Sequence, residues 1–353
     1  MNWLPAVLFF FFYLFTIGGK SASEGRLMIW QLTLILLTAS LFYHNRIWKL
    51  ILAYGILNLL LIKGTIHSLP SLVTLWCIGL YASVIWHHNR FYAKHWFYTF
   101  FILWLISAYS IAAAHFDWPS LFQQIPGIRH LHYIKFAGAF THTVHQGVYS
   151  AMLIPLAIVY LPYAIPFLIY TLVMAHCSAA IGALAVGLSV AACAMYKRVR
   201  WVIVPALLAL SYGYTIFFDK VTNFSQVRFT YWSKLLDHVG FTWFGKGIGS
   251  FNNILGVSGV HDYEIGVFVN AHNFLIQWYY EMGVVGVLLI LSYIAYMFKL
   301  LLRGRHPKAD YATAAAVITG VLSCLWQPSM YKVEVGIPLL ILCIVLERRL
   351  RNG

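Results

Sequence analysis

Arg228, Trp232, His272, Asn273 and Glu281 gather a permanent cation, an indole, a titratable base, an amide and a carboxylate into one stretch of the chain. A guanidinium is planar and always charged, which suits a phosphate or a departing diphosphate. A neutral imidazole takes up a proton near neutral pH, as removal of a hydroxyl proton from an attacking group requires. Between them runs Gly245-Lys-Gly247-Ile-Gly249-Ser-Phe251, too rich in glycine to stay helical, which predicts a tight turn with exposed backbone donors. Nowhere else does the sequence place a cation, a base and permissive glycines together. Chemistry, if there is any, is expected here.

The elements that must position these residues are membrane helices. Of the 353 residues 61% are hydrophobic and 10% charged, far from the balance of a water-soluble domain. The apolar runs are continuous and do not alternate, which excludes a transmembrane barrel and leaves helices, the elements that satisfy their own backbone in lipid. The fold class is therefore an all-α polytopic membrane protein. At the length of a bilayer crossing the sequence predicts about 12 transmembrane helices. They fall near 4–18, 27–43, 47–62, 69–86, 96–114, 146–160, 162–175, 178–196, 201–218, 273–298, 311–326 and 335–347. No linker divides the chain, so residues 1–353 read as one membrane domain, with 219–271 as its large loop between helices 9 and 10. The first span has no basic leader and no small-residue cleavage site, and reads as a retained span.

Charge predicts the orientation. With a cytoplasmic N-terminus, the even-numbered connections hold Arg46, Lys49, Arg90, Lys94, Lys197, Arg198, Arg200, Lys299, Arg303, Arg305 and Lys308. The tail adds Arg348, Arg349 and Arg351, whereas the short odd-numbered connections hold only Lys20, Arg26, Lys63 and Lys332. Cations collect on the cytoplasmic side, so most of the formal +14 is a topology signal and nucleic acid is not an expected partner. Both long loops, 115–145 and 219–271, then face away from the cytoplasm.

The first of these loops carries Arg129 and Lys135, placed either to bind phosphate or to anchor at the interface, with Trp118 and Tyr133 suited to the headgroup belt. His142 and His145 would share a helix face; hydrogen-bonded interfacial histidines are preferred there over a metal or haem pair. The cysteines (Cys77, Cys177, Cys193, Cys324, Cys343) suit neither a disulfide framework nor a zinc site, and read as packing residues. No metal site and no cofactor is expected. No internal repeat is visible, and ionisable residues inside the spans are scarce, which counts against an ion-coupled transporter. In the second loop, Val227, Tyr231, Leu235 and Val239 recur at helical spacing beside Arg228, Trp232 and Leu236. The pattern predicts an amphipathic helix over 223–239 lying on the membrane surface.

Taken in order, Arg228 and Trp232, Trp243-Phe-Gly245-Lys-Gly247-Ile-Gly249-Ser-Phe251, Ala271-His272-Asn273-Phe-Leu275-Ile-Gln277 and Glu281-Met-Gly283-Val-Val-Gly286 resemble a known pattern. It is that of the O-antigen ligase and O-antigen polymerase superfamily of bacterial envelope glycosyltransferases. The resemblance implies transfer of a glycan from an undecaprenyl-diphosphate-linked donor at the periplasmic face of the bacterial inner membrane. The acceptor is lipid A-core for a ligase, or a second lipid-linked glycan for a polymerase, and the ligase is favoured. In those terms Arg228 stabilises the diphosphate and His272 is the base. Asn273, Trp232, Gly247, Gly249, Arg129, Lys135, Glu281 and His176 complete the substrate site. The family's Ser-Arg-Gly motif is replaced here by His176-Cys-Ser178-Ala179-Ala180-Ile-Gly182, which lacks its arginine. His176, Arg129 or Lys135 is the candidate substitute. A lipid-linked oligosaccharide flippase is the alternative of a different class.

Overall fold

The computed structural model describes residues 50, 53–54, 57, 93–115, 143–196, 223–247, 251, 271–326 and 333–352. Those residues form helices and the turns and loops that join them, with no strand among them. The helices are α1 (Ala93–His115), α2 (Thr143–Tyr160), α3 (Ile165–Met174), α4 (Ser178–Met195), α5 (Asn223–Val239), α6 (Phe274–Arg303), α7 (Lys308–Cys324) and α8 (Val333–Asn352). The expected spans at 4–18, 27–43, 69–86 and 201–218 lie outside the described residues, as does most of 47–62 and of the loop 115–145. Among the described residues α2, α4 and α6 are long and apolar enough to cross a membrane.

The expected span at 162–175 comes out as an apolar helical stretch, Pro162–Met174, shorter than the helices long enough to cross a membrane. Pro162 opens a short 3-10 turn to Ala164, and α3 follows with only ten residues, Pro166 in its first turn. The stretch Pro162–Met174 rises about 20 Å, short of a hydrocarbon core of about 30 Å. Pro162 and Pro166 stand at the start of this stretch, where a missing N–H costs no helical bond, and the chain leaves the helix at its other end in the Ala175–His176 turn.

The chain divides into two compact units. The first contains residues 1–44, 80–195 and 300–353 and holds α1–α4, α7 and α8; the second contains 45–79 and 196–299 and holds α5 and nearly all of α6. In the first unit α7 packs against α4, α2 and α8, and α2 also packs against α1 and α3. Lipid is as apolar as leucine, so close backbone approach and polar contacts must hold such helices together. Both are present. Ala180, Ala183, Gly187 and Ala191 form the buried face of α4. A Cβ on Gly187 would stand 2.7 Å from the Ala315 carbonyl of α7, so only glycine permits this approach. The indole N–H of Trp104 donates to Ser150 Oγ (3.1 Å) and Thr171 Oγ1 (3.2 Å), and Ser107 Oγ donates to Gln146 Oε1 (2.7 Å), tying α1, α2 and α3. At one end of the unit, Arg349 of α8 pairs with buried Asp310 in the first turn of α7.

Candidate functional site

The second unit contains the expected loop helix over its expected range. In α5, Tyr231, Leu235 and Val239 follow at four-residue steps and are buried together with Trp232, while Ser233, Lys234 and Asp237 are exposed. Tyr231, Trp232 and Leu235 pack with Phe251 and Tyr280 in one apolar cluster. Burial, with Tyr280 adding, pushes the Tyr231 hydroxyl up to about 12. Gly240, at φ +64°, ends the helix, its N–H bonded back to the Leu236 carbonyl. The Tyr279 hydroxyl donates to the Gly240 carbonyl (2.8 Å) and fixes the exit of the chain.

The glycine turn then inserts into a break in α6. Gly283 sits at φ 65°, ψ −167° inside that helix, a conformation essentially confined to glycine. An unbroken helix would bond Val284 N–H to the Tyr280 carbonyl and Val285 N–H to the Glu281 carbonyl. Both pairs are split, and all four groups find partners in the loop. Lys246 N–H donates to the Tyr280 carbonyl (2.8 Å) and Gly247 N–H to that of Glu281 (3.0 Å). Val284 N–H donates to the Thr242 carbonyl (3.1 Å) and Val285 N–H to that of Trp243 (3.2 Å). Gly245 N–H goes to Thr242 Oγ1 at 2.9 Å. The donors at 245–247, expected to be exposed, are thus engaged within the protein, because a buried helix break leaves backbone groups that must be paired.

The same break explains Gly245 and Gly283. A Cβ on Gly245 would collide with the Glu281 carbonyl, and one on Gly283 would collide with the Trp243 carbonyl. At Gly286 a Cβ would collide with the Met282 side chain and approach the Trp278 indole nitrogen to 2.8 Å. Gly245 and Gly283 are requirements of one interlock between two segments far apart in sequence, whereas Gly286 makes room for side chains of its own helix.

His272 lies at the mouth of α6, half-buried and with its Nδ1 shielded, on a left-handed backbone at φ 52°. A non-glycine residue is uncommon there, and the conformation persists when its surroundings fix it. On one side the Trp232 indole N–H donates to the buried Ala271 carbonyl at 2.7 Å, and Ala271 N–H reaches Gln277 Oε1 at 3.4 Å. On the other side Asn273 Oδ1 accepts from Leu275 N–H (2.9 Å) and Ile276 N–H (3.2 Å), as an N-cap. Gln277 Nε2 donates to Glu281 Oε1 at 3.3 Å, and the Glu281 side chain is buried. Gln277 therefore bridges the carboxylate to the residue before His272. Its role was not drawn from the sequence, where the signals were its four-residue spacing from Glu281 and its place one turn beyond the His-Asn pair.

Trp232, Gly247, His272, Asn273 and Glu281 thus belong to one unit and are linked through backbone and side-chain bonds. Arg228 lies in α5 one turn before Trp232, so the two share a helix face; its side chain lies outside the described residues. Gly249, Arg129 and Lys135 lie outside them too, as do His142, Trp118 and Tyr133. His176 belongs to the first unit, exposed at the α3–α4 turn with φ 49°. His145 is buried in the first turn of α2.

Set beside known proteins, the chain matches no family model and no curated protein. The arrangement itself offers a half-buried imidazole held at a helix mouth, a neighbouring amide whose Nδ2 can meet a ligand, and a tether from that mouth to the arginine-bearing helix.

Proposed function

We propose that this chain is a membrane glycosyltransferase of the bacterial inner membrane, joining a glycan from an undecaprenyl-diphosphate donor to lipid A-core at the periplasmic face. What supports the reading is the bond from Trp232 to the Ala271 carbonyl, which ties the turn holding His272 to the helix carrying Arg228. In this reaction His272 takes the proton from the acceptor hydroxyl. The hydroxyl oxygen forms the new bond to the anomeric carbon, and the bond to the diphosphate oxygen breaks from the opposite face, inverting the centre. The electron pair leaves on undecaprenyl diphosphate, whose growing charge meets the Arg228 guanidinium without need of a bound metal ion. Asn273 and Glu281 orient the base or a sugar, and the polyprenyl tail stays in lipid.

Reconstitution with a defined lipid-linked donor tests this, with lipid A-core or a second donor as acceptor. Product mass separates a ligase from a polymerase. His272→Ala should lower turnover by about 10²–10⁴-fold while donor binding persists. A flippase would move donor across the bilayer without using the base, and unchanged transfer in His272→Ala removes His272 from the reaction. Arg228→Lys keeps the charge but loses the fork, and should cost roughly 10²-fold in turnover.

A further inference from the structure

Large apolar side chains clustered at a surface mark a place where something apolar is met. Phe241, Trp243 and Phe244, in the connection leaving α5, are 70%, 56% and 47% exposed. They stand on a fixed backbone, since the Thr242 and Trp243 carbonyls accept from Val284 and Val285, and Thr242 Oγ1 accepts from Gly245. The rings of Phe241 and Trp243 meet edge to face at 5.1 Å.

Their depth follows from α6. The helix has 30 residues, ten of them up to and including the break at Gly283. The remainder, Val284 to Arg303, rises about 30 Å at 1.5 Å per residue, the thickness of a hydrocarbon core. That stretch carries no charge before Lys299, and Arg303 closes it, with exposed Arg305 and Lys308 just beyond. Before Gly283 the composition changes to Gln277-Trp-Tyr-Tyr-Glu281, polar and aromatic, as at a headgroup level. With Arg303 at one membrane surface, Gly283 stands at the other. The bonds to Val284 and Val285 hang Phe241–Phe244 at the same height.

We propose that Phe241, Trp243 and Phe244 form an aromatic anchor seated in the headgroup–acyl boundary of the leaflet opposite the Arg303 end, its occupant being phospholipid. Indole and phenyl rings partition to that boundary. Lys246, exposed just after the anchor, is placed to meet lipid phosphates. The anchor holds the 271–281 segment immediately outside the hydrocarbon. This inference does not depend on the glycosyl-transfer reading, since it uses only the break in α6 and the exposure of the rings.

The test replaces Phe241, Trp243 or Phe244, one at a time, with the photoreactive residue benzoyl-phenylalanine in the full chain. The protein is reconstituted in vesicles of phosphatidylethanolamine and phosphatidylglycerol and irradiated. Leu291, exposed within the crossing part of α6, serves as the lipid-facing reference and Ser233, on the polar face of α5, as the water-facing one. Intact-mass shifts of one phospholipid at positions 241, 243 and 244, matching the yield at 291 and absent at 233, are expected. Cross-linked dimers at those positions would mean that a second copy covers them, and would overturn the proposal. So would unlabelled positions 241–244 beside a labelled 291, or equal labelling at 233.

Discussion

Gly283→Ala should be among the most damaging single-methyl additions in this protein. The backbone there is at φ 65°, ψ −167°, and forcing alanine into such a conformation costs about 1–3 kcal/mol. The new Cβ would also collide with the Trp243 carbonyl and stand 2.6 Å from the Gly245 nitrogen. Both are backbone atoms, so no flexible side chain can move aside. The loop must retreat, stretching the bonds from Val284 to Thr242 and from Val285 to Trp243. Leaving buried partners unsatisfied costs roughly 1–3 kcal/mol more. The sum is on the order of 4 kcal/mol, about a thousandfold in the equilibrium for opening the interlock.

Two other glycines separate the contributions. Gly240 shares the positive φ (+64°), but a Cβ there meets nothing within 4 Å, so Gly240→Ala should lose only about 1–2 kcal/mol. Gly182 lies within α4 with open space around it, and its replacement by alanine should gain up to about 1 kcal/mol. Hydrogen exchange measured by mass spectrometry on lipid-nanodisc protein reads the outcome through the amides of Lys246 and Gly247. Gly283→Ala should raise their exchange about a thousandfold, and Gly182→Ala should leave it unchanged. If Gly283→Ala kept wild-type protection, or ranked level with Gly240→Ala, the interlock would not exist as described.

Trp232→Phe keeps a ring but strips the buried Ala271 carbonyl of its donor, and should lower stability by about 1–3 kcal/mol. In the transfer assay the same variant should lower kcat more than it raises KM, because the mouth of α6 loosens while donor contacts survive. Arg349→Ala leaves the buried Asp310 carboxylate without its ion-pair partner and should destabilise by about 3–5 kcal/mol, with Asp310→Asn in the same background recovering part of the loss in a thermal-unfolding series. Burial and Tyr280 raise the Tyr231 hydroxyl to about 12 from its ordinary 10, so the folded state holds the proton longer than the unfolded one. That contribution to stability is complete below pH 10 and disappears as pH climbs through 12, and Tyr231→Phe should flatten the alkaline loss. Transfer activity should survive exhaustive chelation, and recovery of a chelated enzyme by added Mg²⁺ would refute a metal-free reaction.

The parts legible in the sequence are those set by local periodicity. The amphipathic spacing of Tyr231, Leu235 and Val239 placed α5 at Asn223–Val239, and apolar length placed α2, α4 and most of α6. Long-range pairing carries no such local signal. The run 273–298 reads as one span because Gly283 and Gly286 sit among apolar residues, and a glycine in an apolar run does not announce a break. The partner of that break lies some forty positions earlier, in residues that look like a free turn. Pro162 and Pro166 mark where the next helical stretch starts, Pro162 opening its 3-10 turn and Pro166 standing in the first turn of α3, and its short length is set by the turn after Met174.

The interlock changes what the glycines can contribute to any phosphate site. A Gly-x-Gly-x-Gly turn reads as a cradle of backbone donors, and at Gly245, Lys246 and Gly247 those donors already have partners within the second unit. Asn273 likewise occupies two N–H groups of the first turn of α6, closing much of that helix end to an anion. A diphosphate in this part of the molecule would then be gripped by side chains, with the backbone serving to place them. The distinction is measurable. A backbone cradle tolerates exchange of one nearby cation, whereas a side-chain grip fails when the fork of Arg228 is replaced by the single point charge of lysine. Donor affinity that held in Arg228→Lys, with turnover intact, would return the burden to a backbone whose described donors are already taken, and the phosphate would have to be sought elsewhere in the chain.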